Sequence, residues 1–222
     1  MSFFKPDLTA DAVKESTGGS FLGSSGIYDV TLKTVSVDVS KNGATSLNFN
    51  VDYNGNPSTI YGLYISDSQG KPLFGAQTFT RLCAVAKVED VSDPVEEEHT
   101  LGKDNKPVTL AVLQDFSDLV CKIRVQEEYS KYNGEIKKKL VIKNFYTEDG
   151  ASASEVIAQV NGESVTIGTQ LAKDQEYASN VTYKDGLTAE DIEAWKKAKS
   201  GKTNSAPTAS VSTTPKTSLF KK

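Results

Sequence analysis

The chain has 222 residues, 37% hydrophobic and 24% charged, with a formal net charge of −4, and no apolar run in it approaches the ~20 residues that cross a bilayer as a helix. That length suits one domain with appendages. The net charge hides an asymmetry: residues 1–195 carry 18 basic and 29 acidic side chains, whereas seven lysines and no acid follow from Lys196 onward. An acidic body excludes diffuse nucleic-acid binding unless the cations are focused.

The N-terminus, MSFFKPDLTADAVKE, lacks a basic segment followed by an apolar one, so no secretory leader is expected and the protein is read as cytoplasmic. Residues 1–25 are read as an arm and flexible joint, in which Phe3, Phe4 and Phe21 can dock on the body or on a neighbouring subunit. Ile27–Val39 is the first expected strand, and its apolar phase slips midway. Tyr28, Val30 and Leu32 share one parity while Val35, Val37 and Val39 share the other, which is the signature of a β-bulge and a sharp bend. Asn42-Gly43 turns the chain into Ser46–Tyr53, and Asn54-Gly55 turns it again into Thr59–Ile65. In the third strand strict alternation puts Tyr61, Leu63 and Ile65 on one face, and Ile60, Gly62 and Tyr64 on the other.

Phe79, Leu82, Cys83 and Ala86 recur at helical spacing and predict a helix over Gln77–Val88. Glu89–Pro107 is acidic, contains Pro94 and Pro107, and reads as a long solvated loop, with a short helical or extended piece after it. Leu119–Tyr146 then forms two alternating runs around Asn133-Gly134, a long hairpin. One face is apolar; the other carries Lys122, Arg124, Lys137, Lys139 and Lys143, and the expected turn over residues 129–134 adds Tyr129, Lys131 and Tyr132. Cations for phosphates beside exposed rings for bases is the combination a single strand requires, and Tyr61 and Tyr64 extend the candidate DNA-binding set. Ser152 with Glu155 caps a helix over Ser152–Val160, and a strand is expected at Ser164–Ile167. Thr188 with Asp191 opens another helix over Ala189–Lys199, in a C-terminal extension spanning 161–200. Residues 201–222 are rich in Ser, Thr, Pro and Lys, a composition that predicts disorder.

Three strands with a bent first member, a helix and a two-stranded hairpin give the order β-β-β-α-β-β over residues 26–160. That is the order of the OB-fold, a five-stranded antiparallel barrel that binds oligonucleotides through strands 2–3 and the loops joining strands 1–2 and 4–5. The stretches GIYDVTLKTVSVDVSKNGATSLNFNVDY, Gly70–Gly75 and EEYSKYNGEIKKKLVIKNFYTEDGASASEV resemble the single-stranded DNA-binding proteins of tailed phages. The resemblance implies an OB-fold protein that coats and protects single-stranded DNA during replication and recombination in the host bacterial cytoplasm. It further implies replication or recombination proteins as partners. Many such proteins end in an acidic tail; here the end is STTPKTSLFKK and the acids sit internally at Glu89–Glu98, which leaves C-terminal recruitment of partners unsupported.

Catalytic chemistry is not expected. His99 is the sole histidine and lies beside an acidic run; together with Cys83 and Cys121 it leaves three widely separated candidate ligands where zinc takes about four. Neither a GxxxxGK[ST] nor a GxGxxG phosphate loop is present, so no cofactor, metal or membrane partner is expected. The two cysteines are read as buried free thiols. The alternative function is a structural β-protein of a virion or tail whose aromatic faces are subunit interfaces.

Overall fold

The computed structural model describes residues 22–101 and 106–202. Phe3, Phe4 and Phe21, and residues from 203 onward, lie outside the described residues. The described chain divides into two compact units, residues 22–128 with 138–182 and residues 129–137 with 183–202.

The described residues are mainly β, with eight strands in an antiparallel sheet and four α-helices: β1 (Gly26–Val39), β2 (Thr45–Tyr53), β3 (Asn56–Ser66), α1 (Phe74–Ala86), β4 (Val95–Leu101), β5 (Lys106–Val112), β6 (Leu119–Tyr132), β7 (Glu135–Thr147), α2 (Ala153–Val160), α3 (Thr169–Gln175), β8 (Val181–Tyr183) and α4 (Ala189–Lys202). The path runs β3-β2-β1-β5-β4, and β6 pairs β1, β7 and β8. Among the described residues β3 has only β2 as its strand partner and β7 only β6, so the sheet does not close into the five-stranded barrel that the element order implied.

The expected bend in β1 is present. Leu32 pairs Val51 and Thr34 pairs Asn50, leaving Lys33 as the extra residue. The bulge lets Leu32 and Val35 both face the core despite their odd spacing, and both are fully buried. It also changes the partners of β1: Gly26–Leu32 pairs β6, while Ser36 and Val37 pair β5. Around it Leu47, Phe49, Leu82, Phe116, Ile123 and Phe145 form the core of the larger unit, with Phe49 and Phe145 at 5.7 Å and Phe79 and Phe116 at 5.5 Å. Truncating one of these buried aliphatic or aromatic side chains to alanine costs ~2–5 kcal/mol. Phe145 belongs to this core and not to the lysine face of β7, because the alternation breaks after Ile142: Asn144, Phe145 and Tyr146 are all buried.

Helix α1 starts three residues before the expected Gln77, and its buried stripe is Gly75, Thr78, Leu82 and Val85. Gly75 is dictated by packing: a Cβ there would lie 2.1 Å from the carbonyl oxygen of Tyr64. The acidic stretch is a loop only over its first part, residues 89–94. Val95–Leu101 is strand β4, paired to β5 with Glu97 opposite Leu110 and His99 opposite Val108. An edge strand with both faces solvated has no need of apolar alternation, and VEEEHTL shows none. Ser164–Ile167 is not a strand; the ordered elements of that region are α3 and β8.

Helix α2 begins as expected, with Ser152 N–H donating to Glu155 Oε2 at 2.8 Å in a capping box. Glu155 also accepts from the amides of Gly168 (3.3 Å) and Gln170 (3.0 Å), joining the starts of α2 and α3. Burial raises its pKa, but these backbone donors outweigh burial and hold the carboxyl below the usual glutamate range.

In the smaller unit Tyr129 stacks on Tyr183 at 6.2 Å and meets Trp195 edge-on at 6.0 Å. Asp185 accepts from Lys131 N–H at 2.9 Å, and Thr188 with Asp191 caps α4 as expected.

Candidate nucleic-acid interface

Strand β3 carries a bulge that its sequence conceals. Ile60 pairs Phe49 and Leu63 pairs Leu47, so Tyr61 and Gly62 together stand opposite Asn48. Gly62 makes this affordable: its φ is 74°, and its N–H donates to Asn48 Oδ1 at 2.9 Å. The extra residue turns Ile60 and Leu63 inward and Tyr61 and Tyr64 outward, correcting the strict alternation that separates the two tyrosines. Tyr61 is 67% exposed and Tyr64 50%. Phe74, at the start of α1, adds a third ring at 66% exposure, and Leu73 N–H bonds to Ile65 O (2.9 Å) to hold this junction against the end of β3. Across the outer side of the same strands Asn50 donates to Thr34 Oγ1 at 2.6 Å and accepts from Thr59 Oγ1 at 2.8 Å. Asn50 thus bridges β1 and β3, and Tyr61, Tyr64 and Phe74 are exposed rings on which planar bases can stack.

The cations expected on the β6–β7 hairpin are present, and most of them are matched by acids. Lys122 bonds Asp29; Arg124 bonds Asp174 at 2.7 Å; Lys139 bonds Glu128 at 2.9 Å; Lys138 bonds Glu127 at 2.6 Å. Glu127 and Glu128 are themselves buried. Lys137, in the smaller unit, bonds Glu135, and that pairing holds the Glu135 carboxyl below its ordinary value.

The expected aromatic turn is also narrower than residues 129–134. Strand β6 continues to Tyr132, and Asn133-Gly134 alone make the turn, with φ of 50° and 78°. Tyr129 is therefore not a turn residue: it is fully buried, with the Lys196 ammonium 5.5 Å from its ring. A ring enclosed by Tyr183, Trp195 and Lys196 cannot stack on a base, which removes Tyr129 from the candidate set. Tyr132 and Lys131 remain exposed at the tip.

Lys143 and Arg124 are brought together with a residue the sequence did not single out. A cleft of about 550 Å³ is lined by Arg81 of α1, Arg124 of β6, Lys143 and Asn144 of β7, Ser152 and Ser154 of α2, and Gln170 and Asp174 of α3. Arg81 Nη1 donates to Lys143 O at 3.2 Å. Tyr146 donates to Asp174, and burial followed by that bond raises the phenol well above its ordinary value. No spacing rule links Arg81 to Lys143 across 62 residues; only the fold does.

The remaining candidates have structural settings. Cys121 is buried and free, its thiol pushed up to about 12 by burial; Cys83 is half-buried and also raised by burial. His99 Nε2 lies 2.9 Å from Glu97, and no three His, Cys, Asp or Glu residues are placed to hold a metal among the described residues. No helix among them is long and apolar enough to cross a membrane. No protein-family model matches this chain, and no curated protein matches it.

Proposed function

We propose that the protein binds single-stranded DNA without sequence preference and coats it during phage replication and recombination in the host cytoplasm. The larger unit serves as an OB-fold-like module: a β1–β2–β3 meander with a bent β1, a helix, and the β6–β7 hairpin returning to β1. The observation that carries the reading is the joint exposure of Tyr61, Tyr64 and Phe74. Stacking is sequence-tolerant because every base has a π-face. Duplex DNA, whose bases already stack on one another, offers no face to these rings.

The electrostatic share of binding is small in this account. With the hairpin cations held by carboxylates, about two or three phosphates are neutralised, so log K falls against log[salt] with a slope no steeper than roughly −2. Titration of a labelled single-stranded oligonucleotide, and of the matching duplex, across a salt series tests this. Tighter single-strand binding with a shallow slope supports the reading; equal affinity for both forms overturns it. If neither binds and Tyr61→Ala abolishes self-association, the exposed rings are a subunit interface, as in a structural virion or tail protein.

A further inference from the structure

We propose that the groove between the end of α1 and helix α2 seats a phenyl ring of Phe3-Phe4, from the N-terminal arm of the same chain. Cys83, Ala84 and Val88 line it from α1 and the residues just after it; Val156, Ile157 and Val160 line it from α2. Its only charged lining residues are Lys87 and Glu89. Among the described residues nothing closes it over: Ile157 is 52% exposed and Val160 72%, although Val156 beside them is buried. Single apolar side chains in solvent are ordinary, but two that border an apolar groove make a surface that an apolar group stabilises by covering. A cavity of about 150 Å³ takes up benzene, so this groove, of about 180 Å³, matches one phenyl ring.

Reach and charge identify the occupant. The arm joins the larger unit at Leu22, which is buried in the core, and Lys138 Nζ donates to Gly23 O just beyond it. Residues 5–21 separate Phe4 from that anchor and, at ~3.3 Å per residue, extend to ~55 Å. The larger unit has about 150 residues, for which the radius of gyration is about 15 Å, so the whole of its surface lies within reach. Such a tether keeps the rings near the groove at an effective concentration on the order of millimolar, ahead of any other copy. The groove offers one cation and one anion, and the arm follows its rings with one of each, Lys5 and Asp7. Leu219-Phe220, the apolar pair of the C-terminal segment, is followed by Lys221 and Lys222 and no acid, so Lys87 opposes it.

Cys83 reports on the groove. It is half-buried there while Cys121 is buried in the core, so alkylation of the folded full chain reads Cys83. Iodoacetamide is expected to modify Cys83 about fivefold or more faster in Phe3→Ser/Phe4→Ser than in the parent protein, at every protein concentration, while the variant still melts cooperatively. Equal rates overturn the proposal. A nitroxide on Ser2→Cys, in a Cys83→Ser background, is expected to broaden the methyl resonances of Val156, Ile157 and Val160; sharp methyls overturn it. Broadening that passes from labelled to unlabelled copies in a mixture means exchange between molecules and overturns docking within one chain. Faster alkylation on removal of residues 217–222, with no effect of the phenylalanine changes, gives the groove to the C-terminal segment and overturns it too. The groove shares no residue with the rings of β3, so none of these outcomes bears on strand binding.

Discussion

The β6–β7 hairpin and strand β3 make opposite use of residues that look alike in sequence. The hairpin displays a stripe of lysines and two tyrosines around a turn, which is how a nucleic-acid surface is written. In the folded protein Lys122, Lys138 and Lys139 are bonded to Asp29, Glu127 and Glu128, and Tyr129 is core. Strand β3 carries no cation between Asn56 and Ser66, yet Tyr61 and Tyr64 both stand in solvent. A charge or ring becomes available for binding only when nothing else in the fold claims it. Claims on the hairpin come from carboxylates up to 93 residues away, beyond the reach of any local pattern.

The largest effect that can break this comparison belongs to Tyr129. If its ring is core, Tyr129→Ala should lower stability by roughly 3–5 kcal/mol in a urea melt. A variant that keeps full stability but loses DNA affinity would return Tyr129 to the binding surface.

Glu155 sharpens the contrast among carboxylates, since backbone amides hold it where lysines hold those of the hairpin. Its pKa is depressed in the folded protein, so its contribution is fully present above the unfolded glutamate value of about 4.3 and is lost as pH falls through the folded value. Glu155→Gln should therefore cost about 1–3 kcal/mol at neutral pH, with the gap to the parent protein shrinking in denaturant melts below about pH 4. A gap that widens in acid would contradict the sign.

On β3, Tyr64→Ala alone should weaken single-strand binding by about 1–3 kcal/mol, read as a shift in Kd at fixed salt, with the melting temperature nearly unchanged because the ring is half in solvent. The smallest effect is expected on the hairpin. Lys137→Ala removes one partner of an exposed ion pair, and it should leave both the melting temperature and the salt slope nearly unaltered. A slope reduced by a full phosphate contact would show that Lys137 leaves Glu135 for the strand.

What the sequence disclosed follows the same logic. The β1 bulge was legible because apolar residues on both sides of Lys33 report their phase, and the caps at Ser152 and Thr188 were legible because capping partners lie three residues apart. The β3 bulge was not, since Gly62 has no side chain to report its face and strict alternation sets Tyr61 and Tyr64 on opposite faces. Strand β4 was hidden because its edge position requires no apolar face. The cleft was hidden because Arg81, Arg124 and Lys143 come from three elements that meet only in the fold.

The central claim is that the outward rings of β3, and not the lysines of the hairpin, hold the strand. Its most direct test is the affinity of a labelled single-stranded oligonucleotide for Tyr61→Ala/Tyr64→Ala beside Lys137→Ala/Lys139→Ala, at one salt concentration. The tyrosine pair should lose about two orders of magnitude or more in affinity, and the lysine pair only a few-fold. Unchanged binding by the tyrosine variant, with collapse of the lysine variant, would contradict it.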